Sequence, residues 1–190
     1  EPSMRSPIRR SALAATSLLL AGGLALGACG GGKSDSANAT DLLTTALQAQ
    51  VNGDVTTAKS QFEAVLKADP TDQQASLAHY NLGQIAQTAE RDNATAKTQY
   101  EAALKIDPSL TAALYNLAIV ETANGNKTEA IDLYKRAVAS NPTDANSNLN
   151  LGFLLYETGD KAGADSAFRK AIALNPALRT RIPADQQPVG

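Results

Sequence analysis

The stretch Ala130-Ile131-Asp132-Leu133-Tyr134-Lys135-Arg136-Ala137-Val138-Ala139-Ser140-Asn141-Pro142 decides the fold. Its skeleton is a small residue, an aromatic, a second small residue and a proline. The same skeleton returns as Ala58-Phe62-Val65-Pro70, Ala96-Tyr100-Ala103-Pro108 and Ala164-Phe168-Ala171-Pro176. Successive prolines lie 38, 34 and 34 residues apart. Self-similarity at that period marks a helical solenoid rather than a globular enzyme core. Within the stretch, Ala130, Tyr134, Ala137 and Val138 recur at helical spacing and form one apolar stripe.

Each copy has a leading half as well. Tyr80-Asn81-Leu82-Gly83, Tyr115-Asn116-Leu117-Ala118 and Leu149-Asn150-Leu151-Gly152 precede the closing phrases, and the first copy has Thr45-Ala46 at the corresponding place. Leu114, Leu117, Ala118 and Glu121 again return at helical spacing. Gly125 and Gly159 stand where the first helix must stop and reverse, which suits a left-handed C-terminal residue. The second copy lacks this glycine, and its turn from Glu90 to Asn93 is one residue longer, so its second helix should start late. No alternating strand pattern interrupts the helices. Small residues let paired helices approach closely while the aromatic fills the larger gap.

These residues resemble the tetratricopeptide repeat (TPR) family, in which each repeat of about 34 residues is a helix, a turn and a helix. The resemblance implies an all-α fold: a right-handed superhelix, or α-solenoid, of about four repeats. The expected boundaries are 39–72, 76–110, 111–144 and 145–178, followed by a tail at 179–190. The tryptophan usual in the first helix is replaced by His79, Leu114 and Asn148. A degenerate first copy fits a capping role.

The first 28 residues read differently. Arg5, Arg9 and Arg10 precede an apolar run from Ala12 to Ala28 that ends Leu26-Gly27-Ala28-Cys29, the pattern of a secretory signal. The small residues before Cys29 resemble a bacterial lipobox, which implies cleavage, acylation of Cys29 with chains such as palmitate, and a lipid-anchored protein facing outside the cytoplasm. An uncleaved anchor is the alternative, although the run is short for spanning a bilayer and holds Gly22 and Gly23. Cys29 is the sole cysteine, so no disulfide forms within the chain. Residues 29–38 then read as a flexible tether. The periplasmic or extracellular side, and an inner or outer membrane, stay open.

The whole chain carries a formal charge of −2, and loss of the leader's arginines makes it more acidic, so nucleic acid is an unsuitable partner. About 160 residues suffice for one elongated domain without a catalytic one. His79 is the only histidine, and no phosphate loop or metal-spaced cluster occurs. No enzyme, metal or cofactor is expected. The sequons at Asn93 and Asn126 read more simply as caps of the second helices.

The candidate functional surface is the concave groove of the first helices. By the family's geometry its lining is Tyr80, Asn81, Gln84 and Gln87, then Tyr115, Asn116 and Ile119, then Asn146, Leu149, Asn150, Phe153 and Tyr156. This set has no formal charge, whereas lysines and arginines such as Lys59, Lys97, Lys127 and Arg169 lie in or beside the second helices. A basic clamp for an acidic peptide terminus is therefore missing. Asn81, Asn116 and Asn150 have two readings: rungs offered to a peptide backbone, or bonds to the neighbouring helix. Tyr80 and Tyr115 are likewise either anchors or inter-repeat packing. With Pro183 and Pro188 in the tail, no long capping helix is expected, and Ala167, Ile172 or Leu174 would stay uncovered. That end is a candidate face for a homo-oligomer. The expected function is an adaptor for a protein or peptide partner at a cell envelope, with a self-associating assembly subunit or a glycan-contacting factor as alternatives.

Overall fold

The structure, a computed structural model, describes residues 34–188. The leader and Cys29 lie outside the described residues. Eight α-helices follow one another: α1 (Ser34–Val51), α2 (Val55–Lys67), α3 (Asp72–Ile85), α4 (Asn93–Ile106), α5 (Thr111–Ala123), α6 (Lys127–Ser140), α7 (Ala145–Glu157) and α8 (Lys161–Leu174). A π-helical segment, Ala86–Glu90, continues α3, and two 3-10 segments, Pro176–Arg181 and Ala184–Gln186, follow α8. No strand occurs among the described residues. Helices pair as α1/α2, α3/α4, α5/α6 and α7/α8, and the second helix of each pair packs on the first helix of the next. This is the all-α solenoid of four helix-turn-helix repeats that the sequence implies.

One large aromatic per repeat fills each hairpin. Phe62, Tyr100, Tyr134 and Phe168 are all buried, and complete burial of such a side chain contributes roughly 1.5–3 kcal/mol. The small residues opposite them are required by space. A Cβ added at Gly83 would sit 2.6 Å from Tyr100 Cε1, and one at Gly152 would sit 2.5 Å from the Phe168 ring. Gly53, Gly125 and Gly159 adopt φ of 76°, 83° and 92° at the inter-helix turns, as the sequence leads one to expect for the last two.

Repeat two departs from this regularity at both ends of its first helix. Its extra turn residue is absorbed by the π-helical segment, and Arg91 takes the left-handed position at φ 58°. The α4 helix then starts after Asp92, whose carboxylate accepts from Ala94 and Thr95 N–H. At the other end, Gln73, Gln74 and Ala75, left between repeats in the sequence boundaries, belong to α3. There Thr71 and Gln74 form a reciprocal capping box, satisfying two backbone donors that a helix start otherwise leaves open.

Several expectations are corrected. The α1 helix is described from Ser34 onward, so half of the expected tether at 29–38 is helical. The N-cap of α4 is Asp92 rather than Asn93, and Asn126 makes no capping bond with its side chain. The proline-containing tail closes the last repeat without a long helix: Leu178 and Ile182 are buried in the core, Ala167 is covered, and Gln187 donates to the Arg179 and Ile182 carbonyls. Leu174 remains exposed. Short 3-10 turns tolerate the prolines that an α-helix rejects.

Candidate functional site

The inner face is built by α1, α3, α5 and α7, with α1 touching α3 and α3 touching α5. A polar rung ties the last two repeats together. Asn150 Nδ2 donates to the hydroxyls of Tyr115 and Tyr134, each at 3.2 Å, so that an asparagine of one repeat bridges the two tyrosines of the repeat before it. Asn116 holds the corresponding place beside Tyr80 and Tyr100 and opposes the rise of their pKa. The Tyr100 hydroxyl also donates to Gln87 Oε1 at 2.7 Å. The tyrosine rings themselves are in contact, with centroids 6.1 Å apart for Tyr80 and Tyr100 and 5.8 Å for Tyr115 and Tyr134.

Burial raises the pKa of all four hydroxyls. The asparagine bonds oppose this shift without cancelling it. Among the described residues, the formal charges acting on these hydroxyls are Asp144 and Arg181, which have opposite signs. The contribution of Arg181 comes from the tail.

Asn81 breaks the series for a clear reason. Its counterparts in the preceding repeat are Leu43 and Phe62, which have no hydroxyl. Its amide turns back instead and donates to the Leu77 carbonyl of its own helix at 2.8 Å. Asn81 is buried, so it leaves the expected groove lining. Leu149 is corrected in the same way: it is fully buried because it occupies the place of Tyr80 and Tyr115 with a smaller side chain. Phe153, one turn later on the same helix face, supplies the aromatic, 5.2 Å from the Phe168 ring and edge-on to it.

Of the other expected lining residues, Tyr80, Gln84, Gln87, Tyr115, Asn116, Ile119, Asn150, Phe153 and Tyr156 are half-buried, and Asn146 is exposed. The Lys161 ammonium lies 5.8 Å from the Tyr156 ring centroid. His79 is half-buried with Nδ1 2.8 Å from Gln99 Oε1.

The sequence reading left α1 out of the groove. Gln50 Nε2 donates to Gln84 Oε1 at 3.4 Å, which fixes the face of α1 that continues the inner surface. Leu47, three residues before Gln50, shares this face, and Val51 follows Leu47 by one turn. They are 37% and 74% exposed. The missed signal was the repeat spacing itself: Leu47 stands where Gln84, Ile119 and Phe153 stand in the later repeats.

Charge is concentrated at the repeat junctions. Lys59 pairs with Glu90, Lys97 with Glu121 at 2.8 Å and Lys127 with Glu157 at 2.7 Å, each lysine reaching forward into the next repeat. Glu121 is fully buried and also accepts from Asn126 Nδ2 at 2.6 Å. Burial pushes its pKa up, but the bonds from Asn126 and Lys97, with the lysine charge, outweigh burial and hold it below the ordinary glutamate value. Among the described residues no cluster of His, Cys, Asp or Glu could hold a metal ion, and no helix is long and apolar enough to cross a membrane.

Comparison with known proteins agrees with this architecture. A family model described as tetratricopeptide repeat matches residues 43–91 and 85–145, and a second of the same description matches 133–165. Among solved structures, a MamA protein is similar at 23% identity over 75% of this chain and 76% of its own, with a TM-score of 0.65. A tetratricopeptide repeat protein from Parabacteroides merdae aligns at 20% identity over 74% of this chain and 55% of its own, with a TM-score of 0.65. MamA from Desulfovibrio magneticus gives 22%, 73% and 76%, with a TM-score of 0.60. At these identities the likeness concerns the fold alone. Among curated proteins none matches this chain.

Proposed function

Because the chain belongs to the tetratricopeptide repeat family, an interaction scaffold, we propose that it is a lipid-anchored adaptor that binds a protein partner on its inner face, outside the cytoplasm. Its mechanism is binding rather than turnover. The observation that carries this reading is the inner surface: half-buried aromatic and amide side chains on four stacked repeats, with lysines drawn away into the junction ion pairs. Aromatic side chains dominate interface energy once desolvated, and Phe153 and Tyr156 are the anchors best placed for that. The anchor rests on Leu26-Gly27-Ala28-Cys29 and the apolar run before it.

Two or more acyl chains on Cys29 give durable attachment.

The test is affinity capture from the native envelope with the full chain, beside a Leu47→Asp, Tyr156→Ala variant whose helicity is unchanged. Proteins retained by wild type and lost by the variant support the adaptor reading. Identical captures overturn it, and capture of further copies of the chain alone turns it into an assembly subunit. Mass spectrometry of the N-terminus checks the anchor, with an acylated cysteine as the expected result.

A further inference from the structure

We infer that a cleft between α2 and α4 is a second docking site, which takes one leucine-sized apolar side chain of a protein partner together with a backbone carbonyl beside it. Leu66 of α2 and Leu82 of α3 supply its apolar surface, and Gln99 of α4 lines it as well. None of its lining residues belongs to the inner-face set, so the site is separate from the one proposed above. Its volume of about 340 Å³ is at the lower end of the range of ligand clefts.

The next junction supplies the template for the occupant. Lys59, Glu63, Leu66 and Lys67 of α2 return as Lys97, Glu101, Leu104 and Lys105 of α4, so both junctions begin from the same helix face. The difference lies in what meets that face. Between repeats two and three, Leu104 is buried and so are Leu114, Glu121 and Leu133. One repeat earlier the places of those last three are taken by His79, Ala86 and Gln99. Ala86 has no carboxylate, and the acid that meets Lys59 is displaced to Glu90 at the end of the π-helical segment. Leu66 therefore stays half-buried where Leu104 is covered. The missing element is an aliphatic group, the one that Leu133 provides one repeat later.

The polar groups fix the rest of its chemistry. His79 Nδ1 is 2.8 Å from Gln99 Oε1. With the ring N–H donating to that oxygen, Gln99 Nε2 is left to donate to a carbonyl of the occupant. The lining charges are balanced, Lys59 and Lys67 against Glu63 and Glu90. Lys59 is already paired with Glu90, and Asp92, which also acts on Lys59, caps α4. An ionised side chain would lose hydration over Leu66 and Leu82 for no net counter-charge, whereas an aliphatic one gains by leaving water.

The probes are the N-acetyl amides of leucine, glutamate and lysine, titrated into the full chain while the leucine methyl signals are followed by NMR. The leucine amide should shift the Leu66 and Leu82 methyls saturably, with a Kd on the order of millimolar for so small a ligand. The two charged amides should bind about tenfold more weakly or less. Gln99→Leu, which copies the next junction, should leave the protein folded and at least as resistant to denaturant, and yet weaken the leucine amide by about tenfold or more. If Gln99→Leu does not fold, Leu66→Gln removes apolar surface from the cleft and should weaken binding to a similar degree.

The inference is overturned by the absence of a saturable shift at these methyls, by equal binding of the charged amides, or by unchanged binding in whichever variant folds. Tighter binding of free leucine than of its capped amide also overturns it, since the occupant would then be an amino acid rather than a protein. The Leu47→Asp, Tyr156→Ala variant should bind the leucine amide as wild type does. Loss of binding there would move the probe to the inner face and overturn the second site, while the envelope capture still decides the adaptor reading.

Discussion

The junction between repeats three and four and that between repeats one and two join similar hairpins by different means. At the later junction an uninterrupted period and the Asn150 bridge to Tyr115 and Tyr134 hold the hairpins in register. The apolar core there is continuous through Ile182. At the earlier junction no rung forms, because Leu43 and Phe62 give Asn81 nothing to bond. The core divides one helix further on, inside repeat two: the cluster shared by α1, α2 and α3 ends at Ile85 and the other begins at Ala86, where α3 changes to π-helix. A cleft of about 340 Å³ opens there between Lys59 and Leu66 of α2, Leu82 of α3 and Gln99 of α4. In a repeat array, stability is a sum of repeat terms and nearest-neighbour interface terms. A polar rung and a shared core raise the interface term; the first repeat lacks the rung, and the core it shares with α3 is separate from the one that joins α4 to α8.

The largest test of this difference is a pair of truncations. Phe62→Ala and Phe168→Ala should each cost about 3–5 kcal/mol, because both rings are fully buried. Hydrogen exchange should show Phe62→Ala releasing α1 and α2 while α5 to α8 stay protected. Phe168→Ala should lower protection across α5 to α8 together. Equal spreading in both variants would erase the distinction between the junctions.

The middle junction supplies the next test. Lys97→Met removes the cation facing a fully buried carboxylate and should cost about 3 kcal/mol. The same carboxylate predicts an acid response. Its folded pKa lies below the unfolded one, so its stabilisation is present above the ordinary glutamate range and is lost as pH falls through the lowered value. Denaturant midpoints taken through the acid range should fall for wild type and flatten for Glu121→Leu, since Leu155 fills the equivalent place in repeat four. A wild-type midpoint insensitive to acid would contradict the pairing.

The smallest contrast lies in the asparagines. Asn150→Ala leaves two buried hydroxyls short of a partner and should cost about 1–3 kcal/mol, whereas Asn81→Ala gives up one bond to its own helix, about 1 kcal/mol. Reversal of that order in denaturant melts would make the rung incidental.

The repeats were legible because hydrophobic spacing and turn chemistry are local: Tyr134 with Ala130 and Ala137, and Gly125 and Gly159, state the hairpins without reference to distant residues. The extra turn of α3 was not, since Gln73-Gln74-Ala75 reads equally as a loop until Thr71 is seen to cap it. The role of the recurring asparagine depended on residues 16 and 35 positions away, beyond any local pattern. The tail failed for a related reason. Its prolines exclude an α-helix but say nothing of 3-10 turns that bury Leu178 and Ile182. For the inner face, charge and aromatic content were readable. The burial of Leu149 and the continuation onto Leu47 and Val51 required the neighbouring helices in place.

The π-helical segment has a consequence for how such a chain changes over time. A single residue inserted into an α-helix rotates everything after it by about 100°, which would turn an apolar stripe away from its partner. Widening one turn between Ala86 and Glu90 confines the added residue there, and α4 enters with Tyr100 still facing Gly83. The length of a repeat is therefore not fixed by the stacking that defines it. Insertions at this place are silent to the hairpins downstream, and the array can acquire irregular members while the remaining repeats keep their sequence pattern.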